Sequence, residues 1–145
     1  MGDYLTPSEK NKYCVCSVIQ AILGSKGINF SQDEIARKLT PSEQGFLVDD
    51  GRMKDLFAGN GLSYEFYWRN EVPFNDPEFV LEEMQENQGF IGIGNHVFLF
   101  RSYDGSSLEV FDPENGEAKK ISYDEMARRM KESGKGCFGL VKRLS

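Results

Sequence analysis

Three side chains in this 145-residue sequence could together perform nucleophilic catalysis. Cys14 opens an apolar run, His96 is the only histidine in the chain, and Asp112 stands directly before a proline. Cysteine catalysis requires a thiolate, an imidazole that takes up and returns its proton, and a group that orients the imidazole. The sequence supplies one residue type for each of these roles.

Cys14 lies at the head of a predicted helix. Residues 14–25 carry apolar side chains at helical spacing, on one stripe, and a glycine follows them. The head of a helix has free backbone N–H groups and the positive end of the dipole, which favour the nucleophilic thiolate. Cys16 is the rival nucleophile, because side chains two residues apart on a helix point about 200° apart and only one of them can face His96. The position at the helix head favours Cys14, and Cys137 is expected in the core.

His96 and Asp112 are predicted to lie side by side. His96 opens the most strand-like run of the sequence, and Asp112 follows the next strand. A turn at Asp104-Gly105 would join the two strands antiparallel, which brings the start of one level with the end of the other. The alternative role for Asp112 is that of an ordinary turn residue before Pro113.

Helix signals dominate the first part of the chain and strand signals the second. Capping boxes begin at Ser31 and Ser122, and Asp76-Pro77 starts a further helix. Asp49 or Asp50 could cap another helix, which runs through Phe57 and is stopped by Gly59-Asn60-Gly61. Strands are predicted at residues 62–68, 89–94, 96–101, 108–111 and 137–141. Helices followed by an antiparallel sheet predict an α+β fold, and residues 1–145 are expected to form one domain.

Composition narrows the classes of function. A net charge of −6 argues against nucleic acid and anionic membranes as partners. No apolar run approaches the roughly 20 residues that span a bilayer, and residues 1–5 lack the features of a signal peptide. The three cysteines match neither a disulfide framework nor a zinc pattern. We therefore expect a cytoplasmic protein with reduced thiols that uses neither a cofactor nor a metal.

These stretches together resemble the papain-like cysteine peptidase superfamily, and most closely its bacteriocin-processing branch, which cleaves double-glycine leaders. The similar segments are the nucleophile helix, the two helices after it, and the His strand with its Asp-Pro turn, at residues 9–27, 27–39 with 50–62, and 95–113. The resemblance implies a papain-like fold whose first helix carries the nucleophile. It also implies a triad of Cys14, His96 and Asp112.

The sequence departs from that branch beside the nucleophile. The branch has glycine after the catalytic cysteine, where this chain has Val15, and it has an oxyanion-hole glutamine a few residues before the cysteine. Residues 1–13 contain no glutamine. Ser8 stands at the position of that glutamine, and Asn11 is the nearest side-chain amide before Cys14. Asn11, and after it Ser8, are therefore the candidates for the missing oxyanion donor.

Two interpretations of function remain open. The first is a hydrolase or acyl-transfer enzyme that attacks a peptide bond or a glutamine side-chain amide of a peptide or protein through a thioester. Proteolysis, deamidation and transglutamination all use the same triad. The second is a papain-like domain that binds peptide without cutting it, which the missing glutamine and Val15 favour and the intact Cys, His and Asp oppose. The sequence carries no signal for the oligomeric state.

Overall fold

The computed structural model describes residues 13–39, 50–94 and 96–143. The helices there are α1 (Cys14–Gly24), α2 (Gln32–Leu39), α3 (Asp50–Ala58), α4 (Pro77–Glu86) and α5 (Tyr123–Ser133). The strands are β1 (Leu62–Trp68), β2 (Gln88–Ile93), β3 (His96–Tyr103), β4 (Ser107–Asp112), β5 (Glu117–Ser122) and β6 (Gly136–Arg143). Within this part of the chain, every helix is too short or too polar to cross a membrane.

The six strands form one antiparallel sheet in the order β1-β6-β2-β3-β4-β5. Antiparallel pairing brings the end of each strand level with the start of its neighbour, as Ile93 with His96 and Asp112 with Glu117. One edge of the sheet therefore collects the start of β3 and the end of β4. The predicted α+β class is confirmed, with helices before an antiparallel sheet.

Helices cover both faces of the sheet. On β3, Val97 and Leu99 join the apolar cluster of α1, α2 and α3, whereas Phe98 and Phe100 join the cluster of α4 and α5. This division follows from the alternation of side chains along a strand. Because both faces are covered, β3 is apolar at consecutive positions and lacks the polar alternation of a half-exposed strand.

The predicted helix starts are present as side-chain caps. Ser31 and Glu34 form the reciprocal capping box, with the Ser31 Oγ accepting from the Glu34 N–H at 3.1 Å and the Glu34 carboxylate accepting from the Ser31 N–H at 3.1 Å. Asp76 accepts from the backbone of Glu78, with proline at the first helical position. Ser122 Oγ accepts the backbone N–H of the residue three positions later. Local chemistry thus sets where these helices begin.

The first helix is more buried than its sequence stripe predicted. Nine of the residues in α1 are buried, on several sides of the helix: Val15, Cys16, Ser17, Val18, Ile19, Ala21, Ile22, Leu23 and Gly24. Contacts with both α2 and the sheet account for this. The single apolar stripe was therefore too narrow a description of α1.

Strand β5 was not predicted from the sequence. Its residues are mostly charged or small and its side chains are exposed or half-buried. It lies at the edge of the sheet and pairs only with β4 among the described strands. An edge strand needs little apolar surface, since its stability comes from the backbone ladder with its neighbour.

Candidate active site

The elements place all three predicted side chains at one edge of the fold. Cys14 is the first residue of α1, His96 the first of β3 and Asp112 the last of β4. The hairpin turn between the two strands has the predicted form, with the Asp104 carboxylate accepting backbone N–H groups and Gly105 at φ +99°. A bulge at residue 101 shifts the register once along the hairpin. His96 and Asp112 still lie within reach of each other.

The imidazole of His96 is hydrogen-bonded to the carboxylate of Asp112. The distance between His96 Nε2 and Asp112 Oδ1 is 2.7 Å. The Asp112 side chain is only 6% exposed, whereas that of His96 is 25% exposed. Because an ionised carboxylate only accepts hydrogen bonds, Nε2 carries the proton and the neutral imidazole keeps its lone pair on Nδ1.

The other side of His96 faces the nucleophile candidate. A hydrogen bond with the Cys14 side chain raises the pKa of His96 above its ordinary value, and Asp112 adds to this effect. Partial burial of the ring opposes both but does not cancel them. The Glu114 carboxylate also lies 3.6 Å from His96 Nδ1, although its side chain is 79% exposed. The protonated imidazole is therefore favoured next to the thiol.

Asp112 has two further partners. Lys119 Nζ lies 3.0 Å from Asp112 Oδ2, and the backbone N–H of Glu114 donates to Asp112 Oδ1 at 3.0 Å. Burial alone would raise the pKa of Asp112, but the bonds from Lys119, the Glu114 backbone and His96 together hold it below its usual value. The carboxylate is thus kept ionised beside His96.

The three thiols are free and lie in different environments. Cys14 is half-buried, whereas Cys16 and Cys137 are buried. Burial, with smaller contributions from Cys14 and Asp33, raises the pKa of Cys16 to about 12. Burial also raises the pKa of Cys137 to about 11. The helical wheel left Cys14 and Cys16 as rivals, and burial now separates them.

A hydrogen bond joins the head of α1 to α2. The hydroxyl of Tyr13, directly before Cys14, donates to Asp33 Oδ1 at 2.9 Å. This bond ties the residue directly before α1 to the second helix. The oxyanion candidates Asn11 and Ser8 lie outside the described residues.

The fold matches solved structures, although no family model and no curated protein sequence matches the chain. One similar structure is the peptidase domain of Streptococcus ComA, a bi-functional ABC transporter involved in a quorum sensing pathway, with a TM-score of 0.70. The match covers 98% of this chain and 99% of that domain at 12% identity. The fold is papain-like. The resemblance is therefore confirmed at the level of the fold.

A second similar structure with this papain-like fold is a double glycine motif protease from an AMS/PCAT transporter, solved in complex with the leader peptide. Its TM-score is 0.67 at 14% identity, over 96% of this chain and 90% of that one. Such low identities show a shared fold, and chemistry has to be argued from the site.

Lys119 and Glu114 are site neighbours that the sequence analysis missed. Lys119 reaches Asp112 from β5, a strand without a sequence signal, and Glu114 lies in the turn between β4 and β5. The only available signal was a hairpin after Asp112, because the fifth to tenth residues after Asp112 then pair back along β4. Recognising the turn at residues 113–116 would have placed Lys119 beside the carboxylate.

Among the described residues, one group of donors is compact enough for a metal ion. The donor atoms of His96, Asp112 and Glu114 lie within 4.8 Å of one another. Two of these three already bond to each other, His96 Nε2 to Asp112 Oδ1. We therefore assign the group to an imidazole–carboxylate pair and identify no metal ligands in it.

A cavity in the described part of the fold lies away from these residues. It has a volume of about 950 Å³ and is bounded by the end of β1, by α5 and by the start of β6. Its lining in the described chain does not include Cys14, His96 or Asp112.

Proposed function

We propose that this protein is a cysteine-dependent hydrolase or acyl-transfer enzyme with Cys14 as nucleophile, His96 as general base and acid, and Asp112 as the orienting group. The observation that carries the proposal is the 2.7 Å hydrogen bond between His96 Nε2 and the Asp112 carboxylate, with the Cys14 side chain near enough to raise the pKa of His96. Its members come from a helix head and two strand ends that are remote in sequence. This is the arrangement that thiol catalysis requires.

The first chemical step transfers the thiol proton and forms a thioester. The Cys14 proton passes to Nδ1 of His96, and the sulfur attacks the carbonyl carbon of the amide. The resulting imidazolium gives its proton to the leaving amine as the C–N bond breaks. In the second step His96 takes a proton from water, or from an acceptor amine, which attacks the thioester and releases Cys14.

Asp112 supports both steps without being protonated itself. Its carboxylate holds Nε2–H, which keeps the lone pair of the neutral ring on Nδ1 for the thiol. It also stabilises the imidazolium that forms after proton transfer. The role of a mere turn residue would not require a carboxylate that is 6% exposed and bonded to the ring.

The proposed oxyanion hole uses one donor at the helix head and one from the preceding segment. The backbone N–H of Cys14 would supply the first, and Asn11, with Ser8 as second candidate, would supply the other. Loss of a single oxyanion donor costs roughly 100- to 1000-fold in turnover. Asn11→Ala should therefore lower kcat strongly with little change in KM, since the donor acts mainly in the transition state.

The proposed substrate is a peptide or protein. A structural neighbour with the same fold was solved with a leader peptide bound. Both a peptide bond and a glutamine side-chain amide present the carbonyl and amine that the mechanism needs. The free thiols favour a reducing compartment such as the cytoplasm.

The test is turnover of defined substrates by matched thiol variants. Wild type, Cys14→Ser and Cys16→Ser would be incubated with a peptide mixture that includes Gly-Gly and glutamine sequences, and products read by mass spectrometry. Cleavage adds one water and gives two shorter peptides, whereas deamidation leaves the peptide intact and adds about one dalton. The masses of the products therefore distinguish the two reactions. We expect Cys14→Ser to abolish turnover and Cys16→Ser, with its fold verified by circular dichroism, to retain it.

Two outcomes would contradict the proposal. Turnover that survives in Cys14→Ser would remove this nucleophile. Peptide binding by Cys14→Ser without any turnover by wild type would instead establish a binding module. Asp112→Asn distinguishes a triad from a turn, because turnover should fall by about 10⁴-fold while most of the protein stays folded.

A further inference from the structure

The two oxygens of the Asp112 carboxylate have different side-chain partners, His96 and Lys119. Oδ1 accepts from His96 Nε2 at 2.7 Å and Oδ2 is 3.0 Å from Lys119 Nζ. From this geometry we propose that Lys119 is a positioning residue, which fixes the Asp112 carboxylate so that Oδ1 stays on His96. The inference rests on the proposed function for its catalytic meaning, although the contact itself can be tested without substrate.

The sheet register explains why this lysine reaches the carboxylate. Asp112 lies opposite Glu117 on β5, and Lys119 is two residues further along the same strand. Residues two positions apart on a strand point to the same side, so Asp112 and Lys119 form a diagonal cross-strand pair within reach of a long side chain. Lys120 points to the other side of β5 and is exposed, which makes it a matched control.

The environment of Asp112 makes a second partner necessary. A buried carboxylate oxygen without a hydrogen bond is costly, and the group would then turn or take up a proton. Oδ1 already serves His96 and the Glu114 N–H, so only Oδ2 is left for Lys119. With Oδ2 held, the carboxylate cannot rotate away from the ring without breaking this ion pair.

The charged groups around His96 come from three elements. Cys14 faces the ring from α1. Asp112 lies at the end of β4 and Glu114 in the turn after that strand. Lys119 on β5 contacts Asp112 and acts on His96 only by way of that carboxylate. Glu114 is largely exposed, so solvent screens its effect on the ring. Asp112 is buried, and Lys119 is the lysine whose ammonium group contacts it in the described residues. Lys119 is therefore the group whose removal should act on Asp112 most directly.

The experiment follows the single histidine by NMR. His96 gives one Cε1–H signal, because the chain contains no other histidine. The chemical shift of this signal reports the titration of His96. At lower pH it also changes when the neighbouring Asp112 carboxylate takes up a proton. Titrations of wild type, Lys119→Met, Lys119→Arg and Lys120→Met would be compared, with circular dichroism verifying the fold at each pH.

In Lys119→Met we expect the acid inflection of the His96 signal to move to higher pH, toward the ordinary range of an aspartate, because Asp112 loses a cation. Lys119→Arg keeps the charge and should stay near wild type, as should Lys120→Met. Turnover by Lys119→Met should fall by roughly 10- to 100-fold in kcat with KM little changed, as expected for a misplaced catalytic group.

The outcomes separate this inference from the proposed function. An acid inflection that is the same in Lys119→Met and wild type would overturn the positioning role. An inflection that moves in both Lys119→Met and Lys120→Met would overturn it as well. The shift would then come from the loss of any nearby positive charge and not from the contact between Lys119 and Asp112. A moved inflection in a protein that turns over no substrate would leave the Lys119–Asp112 contact established and would reject the enzyme instead.

Discussion

At the scale of single residues, burial separates three thiols that the sequence presents as similar. Cys16 is fully buried and Cys137 nearly so, whereas Cys14 is half-buried and lies near enough to the imidazole of His96 to raise its pKa. Thiolate is the reactive form, and burial disfavours a charged sulfur. Reactivity should therefore be concentrated at one position in the native protein.

We predict that Cys14 is alkylated first. Limiting iodoacetamide on the native protein, followed by peptide mapping, should place most of the label on Cys14, because the pKa values of Cys16 and Cys137 are raised to about 12 and 11. His96→Ala should slow this labelling near neutral pH. Preferential labelling of Cys16 or Cys137 would move the nucleophile away from Cys14.

The raised pKa of His96 also predicts how stability depends on pH. A group whose folded pKa lies above its unfolded value near 6.5 stabilises the fold below that value, and the contribution is lost as pH rises through the folded pKa. Melting temperatures of wild type should thus fall over this window more than those of His96→Gln. Equal slopes in the two proteins would show that His96 has the same pKa in both states.

At the scale of elements, the centre of the sheet depends on a close approach between two strands. Gly139 on β6 pairs with Phe90 on β2 and with Phe66 on β1. A Cβ atom at residue 139 would lie 2.2 Å from the Phe90 ring. Since Phe90 is buried in the cluster beneath α1, α2 and α3, the ring has little room to move.

We therefore predict that Gly139→Ala destabilises the protein by about 1–3 kcal/mol through overpacking. Urea unfolding followed by circular dichroism measures the change in the free energy of unfolding. The same substitution in a Phe90→Leu background should be less harmful, because the smaller side chain leaves room for the new methyl group. Equal costs in both backgrounds would attribute the effect to the backbone instead.

At the scale of the whole molecule, one sheet supports both apolar clusters. Ile22 of α1 belongs to the first cluster and Met126 of α5 to the second, and both are fully buried. Successive residues of β6 also divide between them, Leu140 in the second cluster and Val141 in the first. Unfolding of one cluster would therefore expose strands against which the other cluster packs.

This shared sheet predicts a single cooperative unfolding transition. Ile22→Ala and Met126→Ala should each lower the free energy of unfolding by about 2–5 kcal/mol. The urea midpoint should fall accordingly, while the slope of this free energy against urea concentration should stay the same. Trp68 is the only tryptophan, so its fluorescence can be compared with circular dichroism in each variant. Midpoints that differ between the two probes would divide residues 1–145 into more than one folding unit.

The sequence by itself determined those features that neighbouring residues decide. The caps at Ser31, Asp76 and Ser122 depend on a side chain and a backbone N–H two or three residues apart. The Asp104-Gly105 turn likewise follows from local hydrogen bonds and a positive φ. That hairpin brings the start of β3 level with the end of β4, but the register shift between Phe100 and Ser102 is what places His96 and Asp112 on the same side of the sheet.

Only the tertiary structure decided the features that depend on remote partners. Cys14 and Cys16 are equivalent on the helical wheel, and the packing of α2 and the sheet around α1 buries only one of them fully. Strand β5 carries no apolar pattern and forms because its backbone pairs with the edge of β4. This pairing places Lys119 in contact with Asp112. Burial and strand pairing are set by residues far apart in the chain, so a local pattern cannot contain them.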